Sequence, residues 1–122
     1  MKSKSLEFQW CGNDEHQSGH EPVRKTQLAS GLDVKAYLKK PVVIKPGCSV
    51  LIPTGWKVKM DPAYELQVRS RSGLALKYGV HVLNSPGTVD ADYQGEVGVI
   101  LHNAGQDQFI VVDCMAIAQL VL

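Results

Sequence analysis

The chain has 122 residues, of which 44% are hydrophobic and 20% are charged, and its formal net charge is +1. This length fits one domain with a modest core, and the composition is that of a globular protein rather than a disordered or fibrous one. A net charge close to zero argues against duplex DNA or an anionic membrane as a partner, so we expect neither. The three cysteines cannot all pair within one chain, and no signal peptide or membrane span is evident, so we expect a cytoplasmic protein.

The amino-terminal segment, residues 1 to 22, is predicted to be an arm or loop that precedes the main domain. Its second half is polar and contains glycines, as loops do. Cys11, His16 and His20 could suggest a metal site, but a structural zinc site needs four ligands in closely spaced pairs. We therefore favour a solvated loop for these residues.

Short alternating runs follow from Val34 onward. Trp56, Val58 and Met60 alternate with lysines, and similar runs are separated by Pro, Gly, Asn or Asp. Many short strands with turn signals between them predict a single all-β sandwich or barrel over residues 23 to 122, with at most a short helical turn at residues 73 to 78. Residues 117 to 122 predict a last strand, and its apolar end indicates a continuation missing from the chain or burial in a partner.

A basic and hydroxyl-rich segment lies at residues 69 to 75, with the sequence RSRSGLA. Arginine provides fork-shaped charged donors, and a glycine turn lets backbone N–H groups approach phosphate oxygens. The segment is therefore a candidate polyphosphate site, although a basic surface loop has the same composition.

A polar hairpin is predicted at residues 84 to 96, between two apolar strands. Asp90 could accept a proton from a water that attacks phosphorus, or it could simply bond to its own backbone in a turn. Asp92 fits the turn role better. Tyr93 could present its face to a sugar ring, and Asn84 could recognise a base edge through its amide.

Four segments in this order resemble the motifs of the trimeric dUTP diphosphatase (dUTPase) family. The first motif resembles residues 29 to 36 (ASGLDVKA), and the second resembles residues 71 to 75 (RSGLA) with Lys77. The third is similar to residues 87 to 96 (GTVDADYQGE), and the fourth to residues 103 to 105 (NAG) leading to residues 117 to 121 (IAQLV). The resemblance covers the chain from about Pro22 to Leu122.

The resemblance implies a distorted β-barrel of jelly-roll type that assembles as a homotrimer with active sites between subunits. The implied reaction converts dUTP and water into dUMP and pyrophosphate. Mg²⁺ is the implied cofactor, held mainly by the triphosphate and by no protein ligand directly.

The resemblance also implies the roles of individual residues. Asp90 is the base that activates the attacking water, Tyr93 packs on the deoxyribose and disfavours a 2′-hydroxyl, and Asn84 with the hairpin backbone reads uracil. Two supporting residues are Asp33, near the metal–water shell, and Val89, within the third motif. The residues implied to contact the phosphates are Arg71, Ser72, Gly73 and Gln119.

The chain departs from the family at three places. The Gly-rich fifth motif, a carboxyl-terminal arm with an Arg and a Phe, is absent from residues 1 to 122, and we expect its absence to weaken closure over the triphosphate. Cys114 and Ala116 stand where the family usually has a glycine and a basic residue. Ser70 replaces a common proline.

Two alternatives to a dUTPase remain open. A dCTP deaminase-like enzyme would share the barrel and the Arg-Ser segment, but it needs a glutamate base, whereas the pairing of Asp90 with Tyr93 favours diphosphohydrolysis. A nucleotide-responsive binding module would keep the pocket without efficient turnover, as the missing arm and Ala116 would allow.

Overall fold

The computed structural model describes residues 5 to 122, so residues 1 to 4 of the predicted amino-terminal arm lie outside the described residues. The described chain forms eleven strands, one α-helix and one turn of 3-10 helix, and every pair of named strands is antiparallel. The strands are β1 (Leu6–Trp10), β2 (Leu32–Lys35), β3 (Val42–Ile44), β4 (Ser49–Pro53), β5 (Trp56–Met60), β6 (Leu66–Arg69), β7 (Val80–Val82), β8 (Gly87–Val89), β9 (Gly98–Asn103), β10 (Phe109–Val111) and β11 (Ala116–Val121). The helix α1 is Ser72–Tyr78, and the 3-10 turn is Asp14–His16.

The amino-terminal segment differs from the prediction of an arm or loop over residues 1 to 22. Leu6–Trp10 form β1, which runs antiparallel to β5. Leu6 and Phe8 are buried in the core, because the short alternation of apolar and polar residues is that of a half-buried strand. The prediction of a loop is therefore wrong for this strand, while the segment from residue 11 to residue 22 contains only the 3-10 turn.

Strand β5 shows most clearly how the alternating pattern produces the sheet. Trp56, Val58 and Met60 are buried, whereas Lys57 and Lys59 between them are exposed. Successive side chains of a strand point to opposite faces, so the apolar set enters the core and the charged set faces solvent. The all-β prediction is confirmed.

Asp33, Val89 and Gln119 lie in a sheet of four strands in the order β2-β11-β6-β8. The last strand of the chain, β11, lies between β2 and β6, and Ile117, Ala118 and Leu120 are almost fully buried within this one chain. As far as Leu120, the strand is therefore buried by its own chain and needs no partner for this, whereas Leu122 is exposed. Gln119 of β11 lies opposite Asp33 on one side.

A second sheet, in the order β4-β9-β7, packs with the first around the core, and two further pairs, β1 with β5 and β3 with β10, complete the barrel. Strands that are adjacent in space are seldom adjacent in sequence, since β2 pairs with β11 and β4 pairs with β9. These crossovers between antiparallel strands give a distorted jelly roll, as the family resemblance implies.

The single α-helix matches the predicted helical turn. It begins after Arg71, which is extended, and ends at Gly79, whose φ of 71° is left-handed. The Gly79 N–H closes the helix by donating to the carbonyls of Ala75 and Leu74. A Cβ at Gly79 would also lie 2.7 Å from the Gly105 nitrogen, so both the backbone angle and the close approach require glycine here.

No helix among residues 5 to 122 is both long enough and apolar enough to cross a membrane.

Candidate active site

The predicted hairpin at residues 84 to 96 is held in one shape by its own contacts. The Tyr93 N–H donates to the Asp90 carbonyl at 3.0 Å, which forms the turn immediately after β8. The Tyr93 hydroxyl donates to the Glu96 carbonyl at 2.8 Å, so the phenol ring lies over the hairpin backbone. A Cβ at Gly95 would lie 2.5 Å from the Tyr93 oxygen, so glycine is what makes room for the ring.

A cavity of about 240 Å³ lies against this hairpin. Its polar lining includes the side chains of Asn84, Asp90 and Tyr93, which the sequence predicts as site residues. This volume is below that of a pocket for a drug-sized ligand, so it fits one part of a nucleotide. The apolar lining comes from Leu51, Val68, Val89, Val97 and Ile100.

The turn before β8 positions the Asn84 amide. A Cβ at Gly87 would lie 3.2 Å from the Asn84 Nδ2 atom, so a glycine lets this amide lie close to the strand. The Leu83 N–H already donates to the Ile100 carbonyl at 2.9 Å. The Leu83 N–H is therefore already paired within the chain, while this bond leaves the Leu83 carbonyl open.

A second cluster of predicted site residues surrounds Asp33. This carboxylate is 4% exposed, and its Oδ2 atom lies 3.6 Å from Arg71 Nη2 and 3.4 Å from Lys25 Nζ. Gln119 Nε2 donates to Asp33 Oδ1 at 3.4 Å, and Arg71 Nη1 donates to the Ala116 carbonyl at 3.2 Å. Two cations therefore compensate one buried carboxylate, and that carboxylate fixes the Arg71 guanidinium. The sequence gives no signal for Lys25, which lies in a polar loop.

The other two predicted phosphate contacts lie beside this cluster in sequence. Ser72 and Gly73 are exposed at the start of α1, and a Cβ at Gly73 would meet no atom within 4 Å. The hydroxyl and the backbone of this turn are thus open to an approaching ligand.

The predicted site residues form two groups in one chain. Among the residues that the structure describes, the lining of the hairpin cavity includes neither Arg71, Ser72 and Gly73 nor Gln119. Asn84, Asp90 and Tyr93 gather at the hairpin, while the phosphate candidates gather around Asp33 and the start of α1.

Comparison with known proteins places this arrangement in a family. The family model described as dUTPase matches residues 17–122. The chain belongs to the dUTPase family. The deoxyuridine 5′-triphosphate nucleotidohydrolase of Chlamydia muridarum is 59% identical over 101 residues, which cover 83% of this chain and 70% of that protein.

Solved dUTPase structures have the same fold. The dUTPase of Streptococcus mutans superposes with a TM-score of 0.82 at 27% identity, over 97% of this chain and 93% of that one. A variant of the dUTPase from phage phi11 of S. aureus gives a TM-score of 0.81 at 19% identity, over 97% of this chain and 89% of that one. The phage structure was described for its coordination of a structural Mg(II) ion.

The donor atoms near the hairpin fit a magnesium ion only together with a substrate. Magnesium prefers oxygen ligands and is usually bound by one or two carboxylates plus substrate phosphates. Asp90 is exposed and makes no ion pair with another described residue, so its carboxylate is available to a water molecule rather than bound to a cationic side chain. Asp33 is already paired with Lys25 and Arg71, so it is poorly placed as a direct ligand.

Ser70 stands where the family usually has a proline. It links the end of β6 to the end of β7 and to the turn before β8. Its hydroxyl accepts a hydrogen bond from the Val82 N–H at 2.9 Å and lies 2.8 Å from the Ser85 hydroxyl. A proline could make neither contact, because it has no side-chain oxygen. The sequence predicts only that this change is tolerated, and the structure adds these contacts.

The three amino-terminal residues weighed as metal ligands do not come together. Cys11 Sγ donates to the Gly55 carbonyl at 3.2 Å, and His16 is exposed. His20 instead is 2% exposed and lies beside Asp113 and Cys114, on the turn between β10 and β11. A solvated loop is therefore the wrong description for His20, which is a buried residue.

Proposed function

We propose that the protein hydrolyses dUTP to dUMP and pyrophosphate. The observation that carries this proposal is the cavity at the hairpin, where a base-reading amide (Asn84), a ring (Tyr93) and an exposed carboxylate (Asp90) line one space. Membership of the dUTPase family and the 59% identity to a relative named for this activity support the substrate.

Asp90 is proposed as the general base. It lies immediately after β8, and the turn bond from the Tyr93 N–H to the Asp90 carbonyl fixes its backbone. Phosphoryl chemistry needs an in-line water and charge compensation more than covalent help, so a fixed carboxylate that orients the water suffices. Val89 is 8% exposed and supports Asp90 from the core side.

Tyr93 and Asn84 are proposed to select the deoxyuridine part of the substrate. The Tyr93 ring is 45% exposed but is tied by its hydroxyl to Glu96, so it offers a fixed face to a sugar. A fixed ring leaves no space for an additional 2′-hydroxyl. The Asn84 amide provides one donor and one acceptor for a uracil edge, and an unmatched base would leave these groups unpaired.

The phosphates are proposed to bind at Arg71, Ser72, Gly73 and Gln119. Arg71 uses only part of its five N–H donors on Asp33 and the Ala116 carbonyl, so the remaining donors are available to a phosphate. Asp33 is a positioning residue, since it holds the guanidinium and the Gln119 amide from behind. Mg²⁺ bound to the triphosphate supplies further charge neutralisation.

We also propose a homotrimer whose active sites lie between subunits. The support is that the cavity lining contains the base and sugar groups of one chain but none of its phosphate groups. Association of subunits would bring the hairpin of one to the Arg71 cluster of another. Several exposed apolar side chains, among them Leu28 and Leu76, are available for such contacts.

Mixing two inactive variants tests the shared site. We expect Asp90→Asn and Arg71→Ala each to be nearly inactive, and refolding them together to restore a substantial part of the activity. Restoration follows because some mixed sites combine an intact Asp90 from one subunit with an intact Arg71 from its neighbour. The measurement is pyrophosphate release as a function of the mixing ratio.

The control for this experiment is each variant refolded alone at the same total concentration. If the mixture shows only the sum of the two residual activities at every ratio, both groups act within one chain and the shared site is wrong.

Product analysis tests the reaction itself. The protein is incubated with dUTP and, separately, with dCTP, and pyrophosphate and ammonia are measured in each sample. We expect pyrophosphate from dUTP and no ammonia from dCTP. Ammonia from dCTP would favour the deaminase, and tight dUTP binding with negligible pyrophosphate would favour the binding module.

The three free cysteines fit a reducing compartment, so we place this reaction in the cytoplasm.

A further inference from the structure

Three potential metal ligands meet on the side of the barrel where the amino-terminal loop reaches the turn between β10 and β11. His20 Nε2 lies 2.8 Å from Asp113 Oδ1 and 3.3 Å from Cys114 Sγ, and Cys114 Sγ lies 3.7 Å from Asp113 Oδ2. One ligand atom from each residue lies within 4.8 Å of the other two. None of the three residues is among those proposed to bind or hydrolyse the nucleotide.

The hydrogen bonds of His20 leave Nε2 as the ring nitrogen that is available to a metal ion. His20 Nδ1 lies 2.5 Å from the His16 carbonyl, which can only accept, so Nδ1 carries a hydrogen. In the neutral ring Nε2 would then have a lone pair facing the Asp113 carboxylate, which is also an acceptor. A metal ion bound by both Nε2 and the carboxylate satisfies the two acceptors at once.

The backbone at Cys114 provides a second, independent observation. Its φ is 66°, and it is the one residue other than glycine with a positive φ in the described chain. For a residue with a Cβ this conformation costs roughly 1–2 kcal/mol, and such strain occurs at functional sites more often than elsewhere. The strained backbone directs the thiol toward His20, with Sγ within 3.3 Å of Nε2.

We propose that His20, Asp113 and Cys114 bind a zinc ion, with water as the fourth ligand. Zinc bonds of about 2.0–2.3 Å place tetrahedral ligand atoms about 3.4–3.6 Å apart. The separations of His20 Nε2 from Asp113 Oδ1 and from Cys114 Sγ, 2.8 and 3.3 Å, need adjustments of about 0.6 Å or less to reach that range. The zinc binds the lone pair of His20 Nε2 and the thiolate of Cys114, and the thiol proton passes to solvent.

Nitrogen and sulfur ligands select zinc over the magnesium that accompanies the substrate. Magnesium demands octahedral oxygen ligands, whereas imidazole and thiolate favour zinc and its transition-metal neighbours. Asp113 and Cys114 are exposed, so an ion can enter from solvent and keep a water ligand. The new site is thus chemically distinct from the triphosphate site.

Surrounding groups hold His20 and Asp113 in place, as groups around metal ligands commonly do. The His16 carbonyl orients the ring of His20, and the Leu38 N–H donates to Asp113 Oδ1 at 2.9 Å. The rings of Trp10 and Tyr37 lie 5.5 and 5.4 Å from the His20 ring, and they enclose it on its core side. A bound zinc would fasten the amino-terminal loop to the β10–β11 turn.

The Cys114→Gly variant tests the site without risk to the fold. Glycine adopts a φ of 66° without strain, so the variant should fold at least as well as the parent while lacking the thiol. Cys48→Ser is the matched control, because Cys48 is also a free and exposed cysteine. Each protein is stripped with a chelator, supplied with Zn²⁺, dialysed and assayed for metal, and its affinity is measured by competition with a chromogenic chelator.

We expect about one zinc per chain in the parent and in Cys48→Ser, and an affinity at least about tenfold lower in Cys114→Gly. We also expect zinc to protect Cys114, but not Cys48, from alkylation. Substoichiometric zinc in the parent, or unchanged affinity in Cys114→Gly, would overturn the proposal. The result does not depend on whether the protein hydrolyses dUTP.

Discussion

Replacing Asp90 by asparagine is expected to lower the turnover of dUTP by about 10²- to 10⁴-fold, the usual contribution of a general base. The dissociation constant of the nucleotide should change little, because asparagine keeps the shape of the side chain and the turn depends on the backbone bond between Tyr93 and Asp90. Single-turnover kinetics with saturating dUTP measure the first quantity, and equilibrium binding of a non-hydrolysable dUTP analogue measures the second.

The matched control is Asp92→Asn. Asp92 is an exposed carboxylate in the same hairpin, but it does not line the cavity. We therefore expect the turnover of the Asp92→Asn variant to remain within a few-fold of the turnover of the parent protein. Turnover close to the parent value in Asp90→Asn would remove Asp90 from the mechanism. Equal losses in both variants would indicate that the charge of the hairpin, rather than one base, matters.

Replacing Trp56 by alanine is expected to lower the free energy of unfolding by about 3–5 kcal/mol, as removal of a large core side chain does. Trp56 is fully buried, packs edge-on against Phe8 and Trp10, and donates from Nε1 to the His20 carbonyl at 2.9 Å. The variant would lose the packing and leave that buried carbonyl without its donor. Urea unfolding at one fixed protein concentration gives the change, since subunit association makes stability depend on concentration.

Lys57→Ala is the control for this change. Lys57 is the next residue of β5 but points to solvent, so we expect its unfolding free energy to stay within about 0.5 kcal/mol of the parent. A loss below about 1 kcal/mol in Trp56→Ala would contradict the packing described for the core, because it would fall well short of the usual cost.

The strands were predictable wherever one face of a sheet is buried and the other is exposed to solvent. In β5 the alternation of Trp56, Val58 and Met60 with lysines determines both the strand and its inward face. The same alternation is present in β1, but over five residues it is a weak indication of a strand. The polar composition of the following loop therefore led to the prediction of a loop for the whole segment. Its pairing with β5 brings together residues about 50 positions apart, which periodicity alone cannot reveal.

The grouping of the predicted hairpin residues could be foreseen because they are close in sequence. Asn84, Asp90 and Tyr93 fall within one turn-rich stretch, and they line one cavity. The contacts that cross the fold were not predictable. Lys25 reaches Asp33 only because the loop before β2 returns over the sheet, and His20 meets Asp113 across a separation of 93 residues.

The division of the predicted site residues into two groups was likewise not evident from spacing along the chain. Arg71 and Asp90 are 19 positions apart, yet the cavity that Asp90 lines does not include Arg71. Both residues flank strands of the same sheet, since β6 pairs with β8. Only the three-dimensional structure shows that the residues at the start of α1 are not part of the cavity lining.

Hydrolysis of dUTP in ¹⁸O-labelled water tests the central claim most directly. Attack by the Asp90-oriented water on the α-phosphorus places the label in dUMP, whereas attack on the β-phosphorus places it in pyrophosphate. Mass spectrometry of the two products distinguishes these outcomes. We expect one ¹⁸O atom in dUMP and none in pyrophosphate, and label in pyrophosphate, or no hydrolysis at all, would contradict the account.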